Sequence, residues 1–423
     1  MSSSFHSVIL KDDLCIGCTN CIKGCPTEAI RVRNEKAKII ESKCIDCGEC
    51  IRRCPEHAKD SVSDSIDELD SFKYKIALPA PSLYSQFGKN TDIGKILYSL
   101  KLVGFDHIFE VSRAADIVSD YTQKIVATSS ISPLISSSCP VVVRLIQVRF
   151  PSLIKHILPL ESPMEIAGNI ARKEACQRMN LKPSDIGIFF ISPCPAKVTS
   201  VKNPIGSNHS SVDRVISFKD IYPYILKNLK SCKDTLPFYL SGKAIGWARS
   251  GGETYSLGIN DYICVDGIEN VINILDDIED HRLTGVRFAE LLSCRNGCVG
   301  GVLSLENSFI ARNLIRQISE SFQYANSSQQ YNLSKEDIFL TNPILPRKSN
   351  IFGDDVSIAM EKMSKVLEIK EQLPGLDCGA CGSPSCQVMA EDIVLGETTL
   401  DDCMVLFKKK LEDEYSINKN SEA

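Results

Sequence analysis

Sixteen of the nineteen cysteines in this 423-residue chain fall into three groups, and their spacing restricts the fold more than any other feature. Eight lie between Cys15 and Cys54, four between Cys378 and Cys403, and four in loops of the middle segment. The middle four are Cys139 in SSSCP, Cys194 in SPCPAK, and Cys294 and Cys298 in ELLSCRNGCVGG. Each stands in a short loop flanked by Gly or Pro, where a thiolate can face a buried inorganic centre while backbone N–H groups point at its sulfur. A disulfide framework is the poorer reading. The opening MSSSFHSVILKDDL has a charge inside its apolar stretch and no small-residue cleavage site, so the chain reads as cytoplasmic, where thiols stay reduced and free for metals. The longest uncharged run, 125–143, holds six serines and two prolines and is not a membrane span. Lys plus Arg is 48 against 53 Asp plus Glu, a net charge of −5 without a dense basic stretch, so neither membrane nor nucleic acid is expected as a partner. Cys176, Cys232 and Cys264 remain, and read as small buried hydrophobes.

The N-terminal eight are an internal repeat. Cys15, Cys18, Cys21, Cys25 and Pro26 recur 29 residues later as Cys44, Cys47, Cys50, Cys54 and Pro55. In this doubled C-x2-C-x2-C-x3-C-P run the fourth cysteine of each half ligates the other half's cluster. One site is then Cys15, Cys18, Cys21 and Cys54, and the other is Cys44, Cys47, Cys50 and Cys25. A short hairpin is expected from Ala29–Val32 and Lys38–Ile40. Residues 10–60 resemble two-cluster 4Fe-4S ferredoxins, with a pair of zinc sites as the competing reading.

After an acidic, Ser-rich junction at 61–71, the apolar runs Lys75–Leu78, Ile125–Ala127 and Ile186–Ile191 alternate with helical stretches. That rhythm predicts an α/β core with mainly parallel strands, flanking helices and loops gathered at strand ends. An N-terminal ferredoxin-like α+β domain and a small C-terminal Cys-rich domain complete the expected architecture. The boundaries are 1–70, 71–350 and 351–423. Pro140 predicts a helix start just after Cys139, its positive end aimed at the cluster.

At the three central loops the chain resembles the iron-only (FeFe) hydrogenases, in motif order and separation. The likeness continues through KIALPAPSLYSQFG, KLVGFDHIFEVSRAADIV, LIQVRFPSL, SPMEIAG and GWARSGGE, over about residues 72–345. It implies a core of two lobes with the cluster in the cleft between them, and that Cys139, Cys194, Cys294 and Cys298 hold a 4Fe-4S cubane, with Cys298 bridging to a di-iron subsite carrying CO and cyanide, together the H-cluster. Lys197 and Ser82 stand where the family places donors to cyanide. Without the motif, Lys197 would read as a solvated lysine and Ser82 as a turn residue. Departures from the family are equally specific. Ser138 replaces a proton-passing cysteine, and a hydroxyl is far less acidic than a thiol. The upstream helix ADIVSDYTQKIV lacks the family's relay glutamates, so the usual proton path is expected to be cut. Ser192 and Leu292 replace methionines, and Met164 stands where a polar amide is common.

The 355–373 segment has helical spacing and ends at Pro374–Gly375. Cys378, Cys381, Cys386 and Cys403 follow as C-x2-C-x4-C-x16-C, resembling the four-cysteine 4Fe-4S domain appended to some redox and sensory proteins, with structural zinc as the alternative. Lys408–Lys410 reads as a solvated helix end, and 416–423 as a frayed polar tail. The family resemblance then implies two N-terminal 4Fe-4S clusters, an H-cluster and one C-terminal 4Fe-4S cluster. The implied activity is reversible H2 activation by a ferredoxin-type iron-only hydrogenase, with Cys298, Ser138, Lys197 and Ser82 at the reacting site. Ser138 and the extra cluster point to the slow-turnover sensory branch. A fast ferredoxin hydrogenase and a non-enzymatic iron-sulfur assembly or electron-transfer protein are the alternatives. Expected partners are H2 and protons, a redox partner such as ferredoxin, hydrogenase maturation proteins and a signalling protein.

Overall fold

A computed structural model describes residues 5–238, 241–322, 331–347, 351–353 and 355–421. Its N-terminal portion is built on the expected two-fold repeat. Val8–Leu10 pairs antiparallel with Lys59–Ser61, and Ile30–Arg33 pairs with Lys36–Ile39. The hairpin is shifted slightly from the sequence expectation because Asn34 and Glu35 both take positive φ, the two-residue turn whose twist matches paired strands. Short helices Asn20–Lys23 and Glu49–Arg53 carry the third cysteine of each run. Ile22, Ile30 and Val32 close a small core with Val8.

Two parallel sheets form the middle of the chain. The first has the strand order His107–Ile108, Tyr74–Pro79, Ile186–Ser192, Arg214–Ser217. Its two central strands are apolar on both faces because helices cover them, and Ile76, Ile188 and Phe189 are completely buried. The second has Tyr262–Asp266, Phe288–Leu292 and Leu134–Ile135 in parallel. Here the sequence expectation is corrected. Ile125–Ala127 is the last turn of helix Ser112–Thr128, and the strand is the shorter Leu134–Ile135. An apolar triplet suits either element; here Val126 faces the core as the end of the helix's buried stripe.

The 61–71 junction is ordered against the core. Asp64 donates its backbone N–H to Val215 O and accepts the Val215 N–H through its carboxylate, extending the first sheet's edge. Helix Val356–Gln372 begins at Asp355, whose carboxylate accepts the N–H groups of Ser357 and Ile358. Helix Met404–Ser421 contains the Lys408–Lys410 run and continues through the tail expected to fray, while residues 422–423 lie outside the described residues. Cys176, Cys232 and Cys264 are half-buried rather than fully buried. Cys264 lies 3.2 Å from Ser250 Oγ.

Among the described residues, no helix is long and apolar enough to cross a membrane.

Candidate metal centre

The carboxyl ends of both sheets point into one crevice, which is where parallel α/β sheets bind ligands. Cys139 follows strand Leu134–Ile135, Cys194 follows Ile186–Ser192, and Cys294 follows Phe288–Leu292. Ser82 lies just beyond Tyr74–Pro79. These residues, with Cys298, Ser138 and Lys197, line a single cavity of about 960 Å3 counted to its mouth. Met164, Ser192 and Leu292, the three departures noted above, are in the same wall.

Local geometry fixes each thiol. Cys139 and Cys194 are the N-caps of helices Pro140–Arg149 and Pro195–Lys202, each with Pro at the first helical position. Ser293 Oγ lies 3.9 Å from Cys139 Sγ and 3.8 Å from Cys294 Sγ. Gly297, between the last two cysteines, has φ +88°, and a Cβ there would lie 2.6 Å from Ser250 N. The turn that returns Cys298 to the cavity therefore requires glycine. Cys298 keeps free surface, and it faces this cavity.

Burial, with repulsion from Cys139, pushes the Cys194 thiol up to about 11 and the Cys298 thiol up to about 12. Cys294 is raised well above its ordinary value by burial and by repulsion from Cys194, Cys139 and Cys298. Four convergent soft donors are a ligand set for a cationic metal cluster. A second observation fits a cofactor with anionic ligands. Ser82 is fully buried and its Oγ has no partner among the described residues, while Lys197 reaches the cavity with Nζ held 3.3 Å from Ser162 Oγ. A buried unpaired hydroxyl is costly unless something accepts its proton.

Sequence reasoning missed two acids in this wall. Glu253 and Glu290 are almost completely buried and line the cavity. Burial and mutual repulsion drive the Glu253 carboxyl well above the usual range; Glu290 is raised, chiefly by burial, although it accepts the Gly251 and Thr254 N–H groups at 2.8 Å. Glu253 Oε2 lies 2.7 Å from Ser136 Oγ, which lies 3.1 Å from Ser138 Oγ. A three-member chain thus leads from the cavity into a buried carboxyl pair. Its only sequence signals were the last residue of GWARSGGE and the first of ELLSCRNGCVGG, both inside motifs already noticed for their glycines and cysteines. Helix Ser112–Thr128 contributes Ala115 to the wall and no carboxylate.

The other cysteines gather in three places. One small cavity is lined by Cys15, Cys18, Cys21 and Cys54, and another by Cys25, Cys44, Cys47 and Cys50. The second abuts the central site. Ile45 is buried in the core of the second lobe, Cys47 packs against that core with Cys139 and Cys194, and Arg52 donates to Gly300 O at 2.9 Å. Asp46 ties the two portions together, accepting from Ser7 N and, at 2.9 Å, from Thr199 Oγ1. In the C-terminal portion Cys381, Cys386 and Cys403 share an apolar cluster, and Cys378 and Cys403 both raise the Cys381 thiol after burial.

Comparisons with known proteins address the same three portions. The sequence model described as iron only hydrogenase large subunit, C-terminal domain, matches residues 73–256. Over this domain the chain is similar to the iron-only hydrogenases. A 4Fe-4S dicluster domain matches residues 7–55, and an Fe-S cluster family matches residues 373–405. The hydrogenase match ends before Cys294 and Cys298, which only the fold brings to the site.

Among curated relatives, the periplasmic Fe hydrogenase large subunit of Nitratidesulfovibrio vulgaris is 32% identical over 45% of this chain and 50% of its own length. Iron hydrogenase 1 of Clostridium pasteurianum is 24% identical over 66% of this chain and 58% of its own. The cytosolic Fe-S cluster assembly factor NAR1 of Yarrowia lipolytica is 27% identical over 27% of this chain and 24% of its own. The chain thus spans from about a quarter to somewhat over half the length of these relatives. A solved variant of the FeFe-hydrogenase HydA1 from Chlamydomonas reinhardtii shares the hydrogenase fold, with TM-score 0.52 at 13% identity over 67% of this chain and 98% of that one.

Proposed function

We propose that this protein activates H2 reversibly, to two protons and two electrons, at an H-cluster held by Cys139, Cys194, Cys294 and Cys298. The observation that carries the reading is the convergence of these four thiols with the unpaired Ser82 hydroxyl and Lys197 in one cavity. When bound, the di-iron group supplies a Lewis-acidic metal for hydride and a base beside it. Lys197 and Ser82 offer fixed donors to its anionic ligands, worth more here than in water because the walls are apolar. Ser138 stands at the mouth of the Ser136–Glu253 chain and holds protons there, with a weaker acid than a thiol. The Cys25, Cys44, Cys47 and Cys50 site, whose polypeptide packs against the Cys298 loop, would hold the cluster that supplies electron exchange with the central site, and the second ferredoxin site would hold the one facing a carrier such as ferredoxin.

Slow turnover, and with it a sensory role read by a signalling partner, follows from Ser138 and from the absence of a carboxylate contributed by helix Ser112–Thr128 to the cavity wall. The NAR1 likeness favours a second reading, an iron-sulfur protein without the di-iron group. Infrared spectroscopy of protein matured anaerobically with hydrogenase maturation proteins separates the two. CO and cyanide stretching bands are expected; their absence from protein with its cubanes loaded would establish the second reading.

A further inference from the structure

A second polar chamber of about 540 Å3, counted to its mouth, shares a wall with the metal cavity. Ser138, Pro140, Met164 and Lys197 line both spaces. On the far side of that wall the chamber is lined by Glu161 and Glu165, and its outer end carries the exposed His209. The role assigned above to the central cavity uses none of these three residues.

Both carboxylates are held by contacts visible in the fold. Glu165 is fixed by Ser210 Oγ at 2.8 Å and Ser211 N at 2.6 Å. The Glu161 carboxyl accepts from Ser207 Oγ and the Ser162 N–H, and with about four acceptor sites it keeps positions for water. Lys197 Nζ is steered by Ser162 Oγ, the residue between the metal cavity and Glu161. The space admits several waters, at about 30 Å3 each, among polar partners. By contrast the Glu253 branch runs inward to a second buried acid, Glu290.

Resting on the hydrogenase reading, we propose that this chamber is the proton conduit between bulk water and the metal site, with Glu161 as its relay. In each inward passage one proton moves from water at His209 to the Glu161 carboxylate. Glu161 passes it through chamber water to the Ser138 hydroxyl as that hydroxyl gives its own proton to the cavity. No electron is transferred in these steps, and outward passage is the reverse. Burial, reinforced by Glu165 and opposed by Ser207 and Lys197, holds the Glu161 carboxyl up to about 7, a value suited to a relay at neutral pH. Glu165, raised by burial, and His209 and Lys197 are the other titratable groups facing it.

The test is Glu161→Gln in matured full-length protein, with Glu161→Asp alongside. Exchange between H2 and deuterated water is expected to slow by on the order of a hundredfold in Glu161→Gln, with CO and cyanide bands unmoved, and to recover in Glu161→Asp. A second readout needs no di-iron group. In protein carrying only cubanes, the potential of the central cubane is expected to change slope against pH near 7, and Glu161→Gln is expected to abolish that break. Exchange as fast in Glu161→Gln as in the unsubstituted protein, or a break that survives the substitution, overturns the conduit. Missing CO and cyanide bands in the unsubstituted protein overturn instead the hydrogenase reading, and the cubane titration still decides whether Glu161 is in protonic contact with the site.

Discussion

Asp392→Asn is expected to loosen the C-terminal four-cysteine portion from the ferredoxin portion while leaving the two central sheets as stable as before. Asp392 is 5% exposed and accepts from Arg31 Nε at 2.7 and 2.9 Å, Arg33 Nη2 at 2.8 Å and Ser383 Oγ at 2.8 Å. The pairing is backed by a backbone contact so close that a Cβ on Gly382 would lie 1.9 Å from Val32 O, while Val32 N donates to Gly382 O at 2.8 Å.

Removing one partner of a buried ion pair costs about 3–5 kcal/mol, because the remaining charge is stranded. Arg31 keeps the carbonyls of Glu28 and Ile30 as acceptors, and Arg33 keeps those of Val32 and Cys381, which places the effect near the lower end. About 3 kcal/mol corresponds to roughly a hundredfold faster opening. Native-state hydrogen exchange reads this directly. Amides of helix Cys386–Val394 should exchange about a hundredfold faster, and those of strands Tyr74–Pro79 and Ile186–Ser192 at the original rate. Unchanged exchange in the helix would refute the clamp, and equal acceleration everywhere would refute its local character. Asp392→Leu with Arg31→Met should recover part of the loss, since the buried Arg31 charge goes with its partner and only the partly exposed Arg33, which keeps the Val32 and Cys381 carbonyls, loses the carboxylate.

Two further outcomes can be measured. Ser138→Cys places a thiol of ordinary pKa near 8.5 at the mouth of the Ser136–Glu253 chain and should raise H2 turnover in matured protein; an unchanged or lower rate would show that proton delivery there is not limiting. Glu161, held up from 4.5 to about 7, is protonated in the native state over a range where the unfolded chain is ionised. Folding then takes up a proton, so stability falls as pH rises from about 4.5 through about 7, by on the order of 3 kcal/mol. Glu161→Gln should match the parent near pH 5 and exceed it near pH 8 in urea unfolding of cubane-loaded protein, and parallel stability curves would contradict this.

Much of the site was legible because metal-ligating cysteines declare themselves by spacing. The repeat at Cys15 and Cys44 implied two interleaved sites, and the structure brings those cysteines to two cavities in that grouping. Proline after Cys139 announced the helix start that the fold contains. Less was legible where periodicity is short. Ile125–Ala127 was ambiguous as a triplet, and the two-residue strand Leu134–Ile135 leaves almost no pattern to read. Glu253, Glu290, Glu161 and Glu165 escaped notice for another reason: a single carboxylate in a loop or helix looks the same whether it meets water or a cavity.

Local chemistry in the sequence determined which residues can ligate a cluster, where helices begin, and that the residue before Cys139, Ser138, offers a hydroxyl rather than a thiol. Convergence was decided only by tertiary structure. Strands far apart in the chain end at one crevice, so Cys139, Cys194, Cys294 and Cys298 meet there, and Glu253 and Glu161 come to lie on opposite sides of the Ser138 wall. Ligand identity depends on covalent chemistry written residue by residue. Burial, pKa and proton connectivity depend on neighbours distant in the chain, and those exist only once the sheets have packed.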